Sequence, residues 1–370
     1  MFYPNSSFGY CSIQKDFIVP ITLYSSQDAI QKINQLSQAG TPFLFIINYN
    51  CTQSAVIPLS EINPQEIAYD FPHHSNLPEF EAKHQSLLAT LQTPIWHVTP
   101  VTKADYLKAF TPLMSALQQG SIQLANLTFP AQIRCNLTFP EIFHRTNAKY
   151  RLYFKDHCLS FSPETFITID EDGTIKTNPM KGTINAQLPN AEKQIMENPK
   201  EIDEHQIVAK EGLADIALVA DNATITRYRY IDRISRGNGE ILQTSTEIQG
   251  QLPSDYREKL GDILFRLLPA GSITGAPRAK ATALLSEIEA YDRGFYTGIA
   301  GIFDGKTLDS TVLIRYLEPQ SQAMTTTPEA QQSNNALFHY TFKSGGGITA
   351  LSDATSEYDE LIEKIYLPIS

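Results

Sequence analysis

Alternating apolar and polar residues recur along much of the chain and predict a protein rich in β-strands. Successive side chains of a strand point to opposite faces, so a strand with one buried face alternates with a period of two. This pattern, together with short apolar runs, predicts strands at 122–129, 150–154, 159–169, 224–231, 298–303, 311–317 and 337–342. Residues 1–95 show short strands with turns, including 43–47, and a connection rich in proline and histidine at 71–78.

Helical spacing interrupts the strand pattern in several places. Thr102, with Asp105 three positions later, resembles a capping box, and apolar residues then recur at helical spacing until Gly120. Asn198 before a proline predicts a second helix start. Further helices are predicted after 274–277 and over 353–366, whereas the polar segment 319–336 predicts a flexible hairpin loop.

The composition is that of an ordinary globular protein. With 370 residues, 42% of them hydrophobic, the chain can bury a large core in one large or two small domains. A net charge of −11 with no run of Lys or Arg argues against a nucleic-acid surface or an anionic membrane as a partner. Four widely spaced cysteines argue against a zinc site or a disulfide framework. Without a secretion signal or a long apolar run, the expected location is cytoplasmic.

Lys181 lies in the segment 178–183, where stiff and permissive backbone meet. Pro179 fixes its own φ, and Gly182 permits a tight turn directly after the lysine. An amine on such backbone can be aimed at a reacting atom, although most lysines are solvated surface charges. To act as a nucleophile it must be neutral, which at a reference pKa of about 10.4 costs about 4 kcal/mol near pH 7.4. Burial or a neighbouring positive charge would lower that cost.

Two acidic helices are candidates for a cation site. Glu201, Glu204 and His205 share one face of the first helix, and the glutamates of 357–364 share one face of the last. A pair of glutamates from two helices, completed by substrate oxygens and water, is a usual way to hold Mg²⁺. A solvated helix face has the same spacing, so both interpretations stay open.

Three further features carry candidate chemistry. The run 345–347 is three glycines, whose N–H groups could form a nest for a carboxylate or phosphate, or belong to a plain glycine loop. Arg315 ends an apolar run and could pair with a substrate carboxylate or with an acidic residue at the core edge. Glu164 stands in an apolar strand region, where partial burial would raise its pKa and allow it to donate a proton.

Together these segments resemble the chorismate-utilising enzyme family. The motifs that carry the resemblance occur in family order over residues 100–370. They are SPETF (162–166), NPMKGT (178–183), ENPKEIDEH (197–205), LQTSTEIQG (242–250), LPAGSITGAPRAKA (268–281), RGFYTGIAG (293–301), the strand ending in Arg315, SGGGI (344–348) and SEYDELIEK (356–364). Lys181 makes the component I chains of aminodeoxychorismate synthases the nearest resemblance, because anthranilate synthases usually carry alanine there.

The resemblance implies a role for each matching residue. Lys181 would attack chorismate at ring C2 as the 4-hydroxyl leaves, and Glu164 would be the general acid for that hydroxyl. Ammonia would then add at C4 and expel the lysine. Glu204 and Glu360 match the Mg²⁺ ligands. The substrate-binding positions correspond to Thr246, Tyr296, Arg315, Gly345, Gly346, Gly347 and Lys364.

The resemblance also implies an α+β fold. Two large, mostly antiparallel β-sheets would pack as a sandwich, with helices outside and the active site in the cleft. Residues 96–370 would form the chorismate-binding catalytic core, and residues 1–95 a short strand-rich region packed on it. The product would be 4-amino-4-deoxychorismate, a precursor of 4-aminobenzoate and folate, which makes the chain a transaminase-class transferase. Ammonia would come from a separate glutamine amidotransferase subunit.

The chain departs from the family pattern at several positions. Leu213 and Leu218 replace two arginines, Gln243 replaces a histidine, and Arg278 replaces a lysine. Leu124 stands near the base lysine of isochorismate and salicylate synthases, which counts against water as the nucleophile. Two alternatives stay open. One is an anthranilate or aminodeoxyisochorismate synthase component I, and the other is a non-catalytic homologue that binds the amidotransferase.

Overall fold

The computed structural model describes residues 21–89, 93–236, 239–320 and 337–367. Its strands are β1 (Phe43–Ile47), β2 (Ser54–Pro58), β3 (Ile67–Phe71), β4 (His74–Ser75), β5 (Trp96–Thr99), β6 (Leu124–Cys135), β7 (Tyr150–Phe154), β8 (Cys158–Ser162), β9 (Thr165–Ile169), β10 (Thr174–Thr177), β11 (Met180–Asn185), β12 (Asp221–Arg236), β13 (Gly239–Gln251), β14 (Gly275–Ala276), β15 (Ile299–Phe303), β16 (Leu308–Val312), β17 (Tyr316–Pro319) and β18 (Phe338–Ile348). Its α-helices are α1 (Ser26–Gln38), α2 (Leu77–Leu88), α3 (Lys103–Gln118), α4 (Phe139–Arg145), α5 (Ala191–Glu197), α6 (Pro199–Ala217), α7 (Leu260–Arg266), α8 (Arg278–Ile288) and α9 (Ala354–Glu363). Within these ranges no helix is both long and apolar enough to cross a bilayer.

The described strands form two antiparallel sheets of nine strands each. The first sheet has the order β11-β13-β10-β9-β16-β15-β1-β2, and β12 also pairs with β13. The second has the order β14-β6-β18-β17-β8-β7-β3-β4, and β5 also pairs with β6. The α+β fold with two large antiparallel sheets is therefore confirmed. Strands from the first 95 residues belong to both sheets, since β1 pairs with β15 and β3 pairs with β7.

The core lies in layers on both faces of each sheet. Leu44 and Ile46 of β1 pack with Tyr69 of β3 between the sheets. Phe43 and Phe45 point to the opposite face, where α1 and α7 cover them. The apolar run of β1 is buried throughout, which is why it shows no alternation in the sequence.

Capping residues fix the helix starts that the sequence predicts. The Thr102 side chain accepts the Asp105 N–H at the start of α3. Asn198 accepts the N–H groups of Lys200 and Glu201 at the start of α6. The second contact orients the first turn of α6, which carries the acidic face predicted for a cation.

Two helices were missed in a region predicted to contain only short strands and turns. In α1, Ala29, Ile33 and Leu36 face the core, but the polar residues between them hide this stripe. In α2, a proline in the first turn starts the helix, as proline often does because its missing N–H has no partner there anyway. The predicted connection at 71–78 instead contains β4 and this helix start.

Two apolar runs predicted as single strands are each divided between the two sheets. In 159–169 the chain leaves β8 in the second sheet at Pro163 and Glu164 and enters β9 in the first. In 311–317 it passes from β16 to β17 through Arg315, whose φ is 51°. Glu164 and Arg315 therefore both lie at crossings between the sheets. The predicted loop at 319–336 lies outside the described residues from 321 onwards.

Candidate active site

A wide cleft opens between the sheets, walled by both crossings, β11, α6, β18 and α9. Most of the predicted site residues line it, namely Glu164, Lys181, Glu204, Tyr296, Arg315, Gly345, Gly347, Glu360 and Lys364. Gly346 and Thr246 are not among the lining residues. Segments far apart in sequence thus bring an amine, several carboxylates and a guanidinium to one place.

Lys181 points into the cleft from an irregular strand. It lies opposite Thr244 of β13, and the register shifts between Lys181 and Thr183. Gly182, with φ 82°, makes this β-bulge possible. The Lys181 amine comes so close to β18 that a Cβ atom at Gly347 would lie 2.8 Å from its Nζ. The turn predicted after the lysine is thus a bulge that aims the side chain at the glycine strand.

A buried histidine network lies behind Lys181. Thr244 donates its hydroxyl to the Lys181 carbonyl, and His205 Nε2 lies 2.6 Å from Thr246 Oγ1. Because Thr246 Oγ1 accepts the Arg229 N–H at 2.9 Å, its own proton is left for the histidine. Burial lowers the pKa of His205 to about 4, so the ring is neutral. The Thr246 hydroxyl, predicted to bind substrate, is engaged in this support behind the cleft wall.

Glu164 faces Lys181 from the crossing between β8 and β9. Burial raises the pKa of its carboxyl, and the Ser272 hydrogen bond and the Lys181 charge oppose this rise. Ser272 Oγ donates to Oε1 at 2.7 Å. Thr311 Oγ1 donates to the Glu164 carbonyl at 2.7 Å and fixes the backbone. A carboxyl with a raised pKa keeps its proton at higher pH, as a general acid must. Ser272 was not predicted as a site residue, although it lies inside the LPAGSITG motif.

Glu204 of α6 and Glu360 of α9 both line the cleft. Glu204 is buried, and no hydrogen bond to its Oε1 occurs within the described residues. Burial raises the pKa of Glu204 to about 7. Burial acts in the same direction on Glu360, but Lys364, with Nζ 2.6 Å from Oε1, and the charges of Lys200 and Lys181 together outweigh it and lower the Glu360 pKa. Lys200, which the sequence analysis did not single out, lies beside this pair.

The donor set fits a cation that takes further ligands from elsewhere. No group of three or more His, Cys, Asp or Glu in the described part of the chain is arranged to hold a metal alone. Among the described residues, however, none donates a hydrogen bond to the buried Glu204 Oε1, and leaving such an atom unsatisfied is costly. Mg²⁺ commonly takes one or two carboxylates and completes six positions with water and substrate.

The glycine run is part of a strand and not a loop, which corrects the expectation of a nest. Residues 345–347 lie in β18, paired with 126–128 of β6. The pairing of β18 with β17 ends at Lys343. Beyond Lys343, the edge of β18 that faces away from β6 is therefore unpaired with β17 and borders the cleft.

The register decides which glycines present their backbone to the cleft. Thr128, opposite Gly345, donates its N–H to Glu289, and Asn126, opposite Gly347, donates its N–H to Thr274. Both pairs are thus of the non-hydrogen-bonded kind, so Gly345 and Gly347 direct their N–H and C=O groups away from β6. Lys364 Nζ reaches the Gly345 carbonyl at 3.1 Å from that side.

Arg315 and Tyr296 complete the wall, and a buried ion pair supports the turn before Tyr296. The Arg315 guanidinium lies 5.1 Å from the Tyr366 ring centroid. Tyr296 is buried and follows Arg293, which donates to both carboxylate oxygens of Glu289 at 2.7 Å. A buried Arg–Glu pair with both partners hydrogen-bonded holds its geometry tightly, so the turn that presents Tyr296 is rigid.

Lys343 is a further cation at the cleft that the sequence analysis missed. Its Nζ lies 2.8 Å from Glu318 Oε1 and donates to the carbonyls of Asp292 and Arg293 at 3.1 and 3.0 Å. It therefore ties β18 to the turn before Tyr296. A lone lysine in a strand gave no signal for this contact.

Replacing Gly347 by alanine is expected to lower kcat/KM for chorismate, the substrate that the sequence resemblance implies, by about tenfold to a hundredfold. The new methyl would displace the Lys181 amine by a few tenths of an ångström or more. Initial rates of chorismate consumption measure the effect. Gly346→Ala is the matched control, since its Cβ would meet nothing closer than 3.8 Å. Equal losses of kcat/KM in the two variants would show that the space left by Gly347 does not set the position of the Lys181 amine.

Comparison with known proteins identifies the family of this chain. A family model described as chorismate binding enzyme matches residues 19–370. An uncharacterized PabA-like protein of Haemophilus influenzae is 41% identical over 344 residues, which cover 93% of this chain and 97% of that protein. Anthranilate synthase component 1 of Pseudomonas aeruginosa is 30% identical and covers 60% of this chain and 42% of its own length. Aminodeoxychorismate synthase component 1 of Klebsiella aerogenes is 26% identical, and the match covers 80% of this chain and 64% of that protein.

A solved structure shares the fold. The menaquinone-specific isochorismate synthase of Escherichia coli superposes with a TM-score of 0.65 at 16% identity, covering 93% of this chain and 82% of that one. Since the family model spans nearly the whole sequence, this chain belongs to the chorismate binding enzymes.

Proposed function

We propose that the chain is component I of an aminodeoxychorismate synthase, which converts chorismate and ammonia to 4-amino-4-deoxychorismate for 4-aminobenzoate and folate biosynthesis. The observation that carries the proposal is the Lys181 amine, aimed into the cleft close to Glu164 and Glu204. An aminodeoxychorismate synthase component 1 is among the relatives, and its match covers more of this chain than that of the anthranilate synthase above.

Chorismate carries two carboxylates, and the cleft offers matching donors. The Arg315 guanidinium and the Lys364 ammonium supply positive charge, and the N–H groups of Gly345 and Gly347 are directed to the same space. Charge-assisted hydrogen bonds of this kind fix orientation as well as affinity. They would hold a dianion locally despite the chain's net charge of −11.

The reaction then needs a nucleophile and an acid on the bound ring. The neutral Lys181 amine forms a bond to C2, the ring double bonds shift, and the C4–O bond breaks. Glu164 gives its proton to the departing hydroxyl, which leaves as water, and Lys181 stays bonded to C2 as a secondary ammonium. Ammonia next bonds to C4, the electrons shift back, and the C2–N bond breaks to release neutral Lys181, while the new ammonium at C4 returns a proton to Glu164. Splitting one substitution into two in this way is covalent catalysis.

Glu204 and Glu360 would hold Mg²⁺, which when bound supplies positive charge to the ring carboxylate. Glu204 Oε1, which accepts no hydrogen bond from the part of the chain that the structure describes, supports this assignment. A separate glutamine amidotransferase subunit would supply the ammonia.

Leu124 argues against water as the nucleophile. Its side chain is buried with Val208 and Ala276 in a small apolar cluster. Its Cδ1 would lie 3.4 Å from a Cβ at Gly347, the same position that Lys181 Nζ approaches. An apolar side chain there can neither bind nor deprotonate a water molecule.

Incubating the chain with chorismate, MgCl₂ and ammonium tests the proposal. Mass spectrometry and NMR of the product should show an amino group at C4, with the enolpyruvyl group retained. An amino group ortho to the ring carboxylate would assign the anthranilate or aminodeoxyisochorismate alternative instead. Absence of any amination under these conditions would favour the non-catalytic homologue. Full activity in the presence of EDTA would refute the metal assignment.

A further inference from the structure

Lys200 has no part in the proposed reaction, yet it sits between the two acidic helices. Its Nζ lies 2.5 Å from Glu357 Oε1 on α9 and 3.6 Å from Glu204 Oε1 on its own helix. The Glu357 side chain is buried, and Lys200 is its hydrogen-bond partner. A buried carboxylate needs such a partner, so Lys200 stays in place.

The position of Lys200 matters because of the atom beside it. Glu204 Oε1 is the buried oxygen to which no hydrogen bond is made within the described residues, and it is the oxygen that a cation at this site would use. A divalent ion bound there would lie within a few ångströms of the fixed Lys200 ammonium. At such distances like charges repel strongly, even at an intermediate effective dielectric constant.

The charges around the glutamates sharpen this point. The positive charges of Lys181 and Lys200 lower the pKa of Glu204, while the negative charges of Glu201 and Glu357 raise it. Lys364, Lys200 and Lys181 likewise lower the pKa of Glu360. Much of the negative charge that would attract a metal is therefore already compensated by lysines. A dianionic substrate would restore the missing negative charge.

We infer that Lys200 keeps the affinity of this site for Mg²⁺ alone low, because its fixed ammonium repels the ion, and that the negative charge of the bound dianion offsets this repulsion. The inference rests on the proposed function, because it takes Glu204 and Glu360 as metal ligands. Linkage requires the reverse effect too: Mg²⁺ must raise chorismate affinity by the same factor. Lys200 is thus a positioning and tuning residue and does not touch the reacting atoms.

Calorimetric titration of Mg²⁺ into the protein in a buffer without ammonium, with and without chorismate, tests this inference. The unaltered chain should bind Mg²⁺ at least about tenfold more weakly without chorismate than with it. In Lys200→Gln, which can still donate a hydrogen bond to Glu357, Mg²⁺ alone should bind about tenfold or more tightly than in the unaltered chain. Mg²⁺ should also bind this variant more tightly when chorismate is present, because the removed charge acts in both states.

Three variants separate charge from structure. Lys200→Arg keeps the charge and should bind Mg²⁺ alone as weakly as the unaltered chain. Lys193→Gln removes a lysine with a side chain 70% exposed on α5 and should change nothing. Glu357→Gln leaves the Lys200 charge without its partner and should weaken Mg²⁺ binding, opposite in sign to Lys200→Gln. This variant keeps the inference testable if Lys200→Gln does not fold, which thermal melts would reveal.

Unchanged or weaker Mg²⁺ binding in folded Lys200→Gln, or unchanged binding in Glu357→Gln, would overturn the inference and leave the proposed function standing. If the unaltered chain binds no Mg²⁺ even with chorismate, the metal assignment itself fails. The two failures are therefore distinguishable.

Discussion

Lys181→Ala is expected to slow chorismate amination by about a thousandfold or more, equivalent to about 4 kcal/mol of transition-state stabilisation. The variant loses the only step that would activate the ring for ammonia, since the proposed reaction passes through a bond between Lys181 and C2. Alanine is smaller and fits the strand, so the β-bulge at Gly182 and the contact of Thr244 with the residue-181 carbonyl can persist. The loss should therefore appear in kcat and not in folding.

Intact-mass spectrometry gives a second, independent measurement. With chorismate but without ammonia, the unaltered protein should gain the mass of chorismate less one water, and digestion should locate the addition at Lys181. Lys306→Ala is the control, because this lysine is exposed, pairs with Glu171 and does not line the cleft. If Lys181→Ala forms the product with its amino group at C4, para to the ring carboxylate, at the normal rate, Lys181 is not the nucleophile. Ortho product from this variant would instead show that the lysine decides the position of amination.

The sequence predicted the parts of the site whose signal is local. Thr102 and Asn198 mark the starts of their helices, because a capping side chain and the backbone N–H groups that donate to it lie within three residues. Lys181 was identifiable from the backbone properties of its neighbours. The carboxylates of α6 and α9 share faces for reasons of helical spacing alone. The two-sheet fold came from the family resemblance, not from strand patterns.

Long-range pairing explains what the sequence could not predict. Strands buried on both faces carry no alternation, so nothing marked the points where Glu164 and Arg315 carry the chain from one sheet to the other. A glycine run gives the same signal whether it forms a loop or a strand edge. Ser272 and Lys200 gain their roles from Glu164 and Glu357, residues more than a hundred positions away.

Glu164→Gln is expected to reduce kcat by about a hundredfold to ten-thousandfold, the usual value of a positioned general acid. Glutamine has nearly the same shape, and its amide oxygen can still accept the hydrogen bond that Ser272 now donates at 2.7 Å. It cannot give a proton to the departing hydroxyl. Ser272→Ala, which removes only this hydrogen bond, should cost about tenfold or less.

The pH dependence of the rate and of the stability tests the same role of Glu164. Burial raises the folded-state pKa of Glu164 above its unfolded value, so the folded state holds this proton where the unfolded state has lost it. The rate should fall as pH rises through the raised pKa, and this limb should vanish from the profile of Glu164→Gln. The carboxyl also destabilises the fold as pH rises above its unfolded pKa. Glu164→Gln should therefore melt at or above the temperature of the unaltered chain at neutral pH. A variant that is slow but less stable would indicate a structural role, and one that keeps both its rate and the high-pH limb would exclude Glu164 as the acid.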